Sequence, residues 1–263
     1  MKTLERRLVP AVTAAQMREV DRVMVEELHI ELVQMMENAG RALAELALGR
    51  FHPDTVTVLA GPGGNGGGGL VAARHLANRG AGVSVTLSHP TATLAPVTRH
   101  QLDILRRMRV PIASDPRPSA LVVDALIGYG LRGDPVGRTA VLIQWATAEG
   151  TPIVALDAPS GLDVTSGRAR SPCVRATATL TLGLPKVGLL EAAETGDLFL
   201  ADISVPPDVY LKVGLSVPTL FGEGTVVQLL PAASPGSRVA MLGCEQIDAR
   251  TISGERRKGH GHG

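Results

Sequence analysis

The sequence predicts an α/β domain in which a mainly parallel central sheet is flanked by helices. Three observations predict it. Short apolar runs alternate with segments of helical period, the arrangement that builds βαβ units with right-handed crossovers. Hydrophobic residues make up 44% of the 263 residues and aromatics 2%, so the core is assembled from Val, Leu, Ile and Ala, as suits strands covered on both faces. A strand-like run through Val58 and Ala60 leads into seven glycines within nine residues, after which an apolar helical pattern begins at Leu70.

Each element follows from local signals. Thr13 is placed as the N-cap of a helix running to about Leu28, with Met17, Val20, Val23 and Met24 at helical spacing. A second helix, from about Leu32 to Leu48, carries the face Leu32, Met35, Ala39, Leu43 and Leu46. Gly40 within it costs about 1 kcal/mol relative to Ala and points to close packing. Thr55 to Ala60 reads as a buried strand, Leu70 to Ala77 as a helix and Gly82 to Leu87 as a strand. Pro96 opens a helix that continues through Met108. Leu121 to Leu126 reads as a strand, Thr139 to Thr147 as a helix and Ile153 to Leu156 as a strand, with later strands at Thr177 to Leu182 and Leu198 to Ile203. From Pro231 the pattern stops. The expected organisation is one domain over residues 1–232 and a disordered tail over 233–263, whose closing GERRKGHGHG has too little apolar surface to offset the cost of ordering. His260 and His262 are read as part of that tail rather than as metal ligands.

Bulk composition narrows the function. The formal net charge is +1, without the basic excess that nucleic acid or a membrane surface calls for, and few aromatics are available to stack on bases. No run reaches the roughly 20 apolar residues of a membrane span, and the N-terminal MKTLERRLVP lacks a signal-peptide apolar stretch. Cys173 and Cys244 stand far apart in no metal spacing and read as reduced thiols, so a cytoplasmic protein is expected.

The chemistry is expected where the sheet meets the glycine-rich stretch Gly61 to Gly69. Glycines let a ligand approach the main chain, and a helix start presents unpaired N–H groups and a positive dipole end, which favours phosphate. A P-loop is excluded, because Gly69 and Leu70 stand where Lys and Ser or Thr are required. A dinucleotide fingerprint matches at Gly61, Gly63 and Gly66, but Ser88 and His89 stand where its ribose-binding acid belongs. Asp124 and Asp157 each close an apolar run and are expected beyond strand ends, facing the same crevice as the glycines. Asn65, Asp124 and Ser160 supply hard oxygen ligands with one formal charge, a set better suited to an alkali ion than to zinc. Lys186 either reaches a phosphate or is an exposed loop lysine. His75 falls mid-helix and is given no role.

At these residues the chain resembles the YjeF N-terminal domain family, the NAD(P)H-hydrate epimerases. The resemblance rests on Met36 to Arg41, Gly61 to Arg74, Val123 to Leu131, Asp157 to Asp163, Leu184 to Gly188 and Ala201 to Pro206, in the family's order. It implies a Rossmann-like three-layer sandwich. It implies an isomerase that interconverts the R and S epimers of hydrated NADH or NADPH, so that a separate dehydratase can use one of them. By resemblance, substrate is bound by Gly64, Asn65, Gly66, Gly67 and Gly68, by Gly128, Tyr129, Gly130, Leu131, Arg132, Gly133 and Asp134, and by Asp157. One potassium ion per chain is implied at Asn65, Asp124 and Ser160, and a homodimer is a further expectation. Asp157 is the expected acid–base residue: a carboxyl protonates the departing hydroxyl, the ring nitrogen stabilises the cation, and water returns to either face. Two positions depart from the family's loop, where Gly64 replaces Asn and Gly68 replaces Asp. The alternative these leave open is a catalytically weakened ligand-binding or protein-interaction module.

Overall fold

The computed structural model describes residues 1–222 and 224–231. The expected tail over 233–263, and Cys244 with it, lies outside the described residues. Strands β1 (Lys2–Glu5), β2 (Thr55–Ala60), β3 (Gly82–Leu87), β4 (Ile112–Ala113), β5 (Leu121–Ala125), β6 (Ile153–Leu156), β7 (Ala178–Leu182), β8 (Asp197–Ala201) and β9 (Val226–Leu230) form one sheet in the order β1-β9-β8-β7-β6-β5-β2-β3-β4. Every neighbouring pair is parallel except β8 and β9. The helices are α1 (Ala14–Arg22), α2 (Leu32–Phe51), α3 (Gly64–Asn78), α4 (Pro96–Arg107), α5 (Gly137–Ala148) and α6 (Pro207–Lys212). Among the described residues no helix is long and apolar enough to cross a membrane.

Alternation along the central strands creates two cores. Val58 of β2, Val123 of β5 and Leu156 of β6 join the cluster that includes Leu43 of α2, Leu70 of α3 and Leu102 of α4. Their chain neighbours Leu59, Val122 and Ala155 face the other way and pack with Leu142, Ile143 and Ala146 of α5. Helices therefore cover both faces, giving three layers. A run buried on both sides has no polar face to show, which is why these strands read as continuous apolar segments.

The chain leaves β2 toward β3 and β4, then returns to β5 on the other side of β2 and continues to β6, β7 and β8. The order reverses between β2 and β5, and the crevice beyond their carboxyl ends is the position where open α/β sheets bind ligands.

The glycine stretch differs from expectation. Its turn is confined to Gly61, Pro62 and Gly63, and α3 begins at Gly64, six residues before Leu70. The glycines are helical because the helix lies too close to its neighbours for side chains. A Cβ at Gly69 would stand 2.4 Å from Ala125 Cβ, and one at Gly66 would stand 1.9 Å from the Gly61 carbonyl oxygen. Gly40 of α2 serves the same approach, since a Cβ there would meet Val71 Cβ at 2.5 Å. Four elements were not expected from sequence: β1, β4, β9 and α6. In addition, α1 runs on through a π-helical turn, Val23–Glu27.

Candidate functional site

A cleft of about 720 Å³ opens at the reversal point between β2 and β5, and its wall includes Gly64, Asn65 and Gly68 of α3, residues 128–132 and Asp134 of the loop after β5, and Asp157 after β6. The two carboxylates expected to face one crevice stand on neighbouring strands, since β5 pairs with β6 and Asp124 lies opposite Ala155, but only one of them reaches it. They play different parts. Asp157 reaches the cleft, whereas Asp124 and Ser160 are fully buried beneath it. Three expected binding residues are not on the wall: Gly66 and Gly67 are buried in the first turn of α3, and Gly133 is exposed.

At the start of α3, the first intrahelical bond runs from Gly67 N–H to Gly63 O at 3.1 Å. The amides of Gly64, Asn65 and Gly66 precede it and so have no acceptor within the helix. They stand at the positive end of the helix dipole, which suits an anion.

Asp157 sits where β6 ends and adopts φ +66°, a left-handed backbone that is uncommon outside glycine. Its Oδ1 accepts from Lys186 Nζ at 2.5 Å and its Oδ2 from the Tyr129 N–H at 2.9 Å. Lys186 is 0% exposed, so the exposed-loop reading of this lysine is wrong. Its ammonium also donates to Leu182 O at 3.0 Å and to Thr181 Oγ1 at 3.3 Å, and lies 5.9 Å from the centre of the Tyr129 ring. Three polar partners and an aromatic face offset the cost of burying the charge.

Asp124 has no such cation. Its Oδ1 accepts from Ser160 Oγ at 2.6 Å and from Leu126 N–H at 3.2 Å, and its Oδ2 accepts from Ser160 N–H at 2.7 Å. Burial pushes its carboxyl up to about 6, against the opposing pull of these hydrogen bonds. Among the described residues no basic side chain pairs with it. Close by, the loop at 126–128 brings Ile127 N–H to Ser160 Oγ at 2.8 Å and packs Gly128 against Asn65 and Asp157. Asn65 Nδ2 is buried without a partner. Because amide nitrogen and oxygen are assigned from their hydrogen bonds, this buried group can equally offer its oxygen.

Sequence reasoning passed over one acidic group in the cleft. Asp21 of α1 lines it, and the Tyr129 hydroxyl donates to Asp21 Oδ2. The signal was its spacing. It falls four residues after Met17 and three before Met24, which puts a carboxylate on the helix's apolar stripe. His89 also lines the cleft and pairs with Ser88 Oγ at 2.8 Å. His75, on α3, is largely buried, pairs with the part-exposed Glu37 and is not on the cleft wall.

Residues 32–188 match the family described as YjeF-related protein N-terminus. The chain belongs to this family. A protein of Dehalogenimonas lykanthroporepellens named NAD(P)H-hydrate epimerase is 47% identical over 221 residues, covering 81% of this chain and 89% of that protein. A protein of Moorella thermoacetica named bifunctional NAD(P)H-hydrate repair enzyme is 38% identical over 216 residues, covering 74% of this chain but 40% of that longer protein. The crystal structure of yeast ynu0 shares the fold, with a TM-score of 0.73 at 23% identity over 84% of this chain and 100% of that one. The match to the YjeF-related N-terminal family contains Asn65, Asp124, Asp157, Ser160 and Lys186, whereas Asp21 precedes it.

Proposed function

We propose that this chain is an NAD(P)H-hydrate epimerase, interconverting the two epimers at the hydroxyl-bearing carbon of the hydrated nicotinamide ring. One observation carries the reading: a relative of that name is 47% identical along 89% of its own length, and the matched residues include the cleft's carboxylate and its buried lysine. In this reading the free amides at the start of α3 bind phosphate, and the loop at 128–134 closes over the nucleotide. The Asp157–Lys186 pair exchanges a proton with the departing hydroxyl. As the C–O bond breaks, the ring nitrogen's lone pair forms a C=N bond, and the resulting cation faces the Asp157 carboxylate. Water then adds to either face and returns a proton.

The residues beneath the cleft fit a potassium ion. A fully buried carboxylate that has no cationic partner among the described residues, a serine hydroxyl and a buried amide whose nitrogen has no partner there supply hard ligands and one negative charge. Asn65, Asp124 and Ser160 would hold the ion, which would neutralise Asp124 and brace the loop at 126–128. A separate dehydratase would then act on one of the two epimers.

The direct test incubates the purified protein with a single epimer of hydrated NADH and follows the epimer ratio by chromatography. Conversion faster than the spontaneous rate is expected. Conversion at the spontaneous rate overturns the reading and leaves a ligand-binding family member.

A further inference from the structure

Asp157 alone does not account for a reaction that must occur on both faces of a ring. The two epimers carry their hydroxyl groups on opposite faces, and a carboxyl moves a proton only within hydrogen-bond reach. A substrate held by its phosphates presents one ring face to Asp157. The other face needs its own group.

The cleft contains one. Asp21 of α1 lines the same cleft as Asp157. The segment leading into α1 is tied to the loop after β7, since Val12 forms a parallel bridge with Lys186, with Val12 N–H donating to Pro185 O at 2.9 Å. Tyr129 spans the two acids: its hydroxyl donates to Asp21, and its main-chain N–H donates to Asp157 Oδ2 at 2.9 Å. The carboxylates are near enough to feel each other's charge, and Lys186 and Arg18 are the basic groups acting on this cluster. Burial holds the Asp21 carboxyl above its ordinary range, which favours its carrying a proton to donate.

We propose that Asp21 is the acid–base residue for the ring face turned away from Asp157, with the Tyr129 hydroxyl fixing its orientation. The inference rests on the epimerase reading. The Asp21 carboxyl gives its proton to a hydroxyl on its own face. The C–O bond breaks, the oxygen leaves as water with the bonding pair, and the ring nitrogen's lone pair makes the C=N bond. A water on the opposite face attacks that carbon, and Asp157 takes the proton it sheds. The reverse reaction exchanges the two roles, and the ring is neither oxidised nor reduced.

The test uses water labelled with oxygen-18 and each pure epimer in turn. The parent protein is expected to introduce label into both epimers and to interconvert them. Asp21→Asn is expected to slow interconversion by at least about 100-fold, the scale of losing a general acid. It should still label one epimer at near the parent rate, because departure and return on the Asp157 face survive. Asp157→Asn should show the mirror pattern, labelling the other epimer. Tyr129→Phe, which retains both carboxyls, should slow labelling of the epimer that Asp21→Asn spares least. Equal labelling of both epimers by Asp21→Asn, or loss of the same epimer in both variants, overturns the inference while leaving the epimerase reading intact. Failure of the parent to interconvert the epimers overturns both. If Asp21→Asn does not fold, the Tyr129→Phe pattern decides: parent-like labelling of both epimers overturns the inference.

Discussion

Lys186 Nζ lies 2.5 Å from Asp157 Oδ1, and the two side chains are 0% and 5% exposed. The pair joins the loop after β7 to the tip of β6 at the wall of the cleft. Removing one member leaves the other charged and without a partner, which typically costs 3–5 kcal/mol, whereas removing both costs far less. Lys186→Met is therefore expected to destabilise the fold by about 3–5 kcal/mol. The Lys186→Met, Asp157→Asn double variant should recover most of that loss in urea unfolding. Additive losses would show that the ion pair is not what the lysine contributes.

Gly128 is a steric checkpoint. A Cβ there would stand 2.8 Å from Asp157 Oδ2 and 3.2 Å from Asn65 Oδ1. Gly128→Ala should displace both groups, lower kcat/KM by on the order of 100-fold and cost about 1–3 kcal/mol of stability. Unchanged kinetics would mean that the loop does not need this close approach.

The two glycines at which the resemblance implies Asn and Asp, Gly64 and Gly68, are packed unequally. A Cβ at Gly64 would be 3.6 Å from Met36 Cε, an ordinary contact, so Gly64→Asn should fold as well as the parent. A Cβ at Gly68 would be 2.8 Å from Leu156 Cδ2, so Gly68→Asp should cost about 1–3 kcal/mol by overpacking. Adding Leu156→Ala should restore part of this in thermal melts. Equal tolerance at both sites would contradict the packing described for α3.

Potassium should stabilise the parent. Replacing a large organic cation with saturating potassium is expected to raise the melting temperature by on the order of 5 °C, since a ligand that binds only the folded state stabilises it by mass action. Asp124→Asn should abolish the response. An equal shift in the variant would remove Asp124 from the ion site.

Burial raises the Asp21 carboxyl above its ordinary value of 3.8, so the folded chain holds this proton more tightly than the unfolded chain. The stability this group contributes is fully present below 3.8 and is lost as pH rises through the folded-state value. Asp21→Asn does not titrate, so its stability relative to the parent should increase from acid toward neutral pH. Melting curves across that range check the sign, and a relative loss on raising the pH would contradict it.

Much of this fold was legible in the sequence, for an identifiable reason. Strands β2, β3 and β6 were read with their observed ends because strands buried on both faces appear as apolar runs bounded by turn residues. The start of α3 was not, because glycine carries no hydrophobic period and is a poor helix former, so only tertiary packing makes it helical. Strand β1, reading Lys-Thr-Leu-Glu, hides in a charged segment because it lies at the sheet edge, where burial is incomplete. In the site, Asp124 and Asp157 could be placed together because both end neighbouring parallel strands. Lys186 could not be resolved, since a lysine in a loop looks the same in sequence whether it faces water or a carboxylate 29 residues away. Asp21 was marked in sequence by its place on the apolar stripe of α1, but its partner Tyr129, 108 residues away, shows only in the fold.

The left-handed backbone at Asp157 is a strain that its ion pair keeps in place. For most side chains that conformation costs about 1 kcal/mol or more, and glycine avoids the penalty. Lys186 outweighs that relief, because Asp157→Gly would strand a buried ammonium at a cost of about 3–5 kcal/mol. The lysine thus guards the carboxylate against drift: a screen on melting temperature alone would reject single replacements at this position, and the strain could be shed only together with both charges.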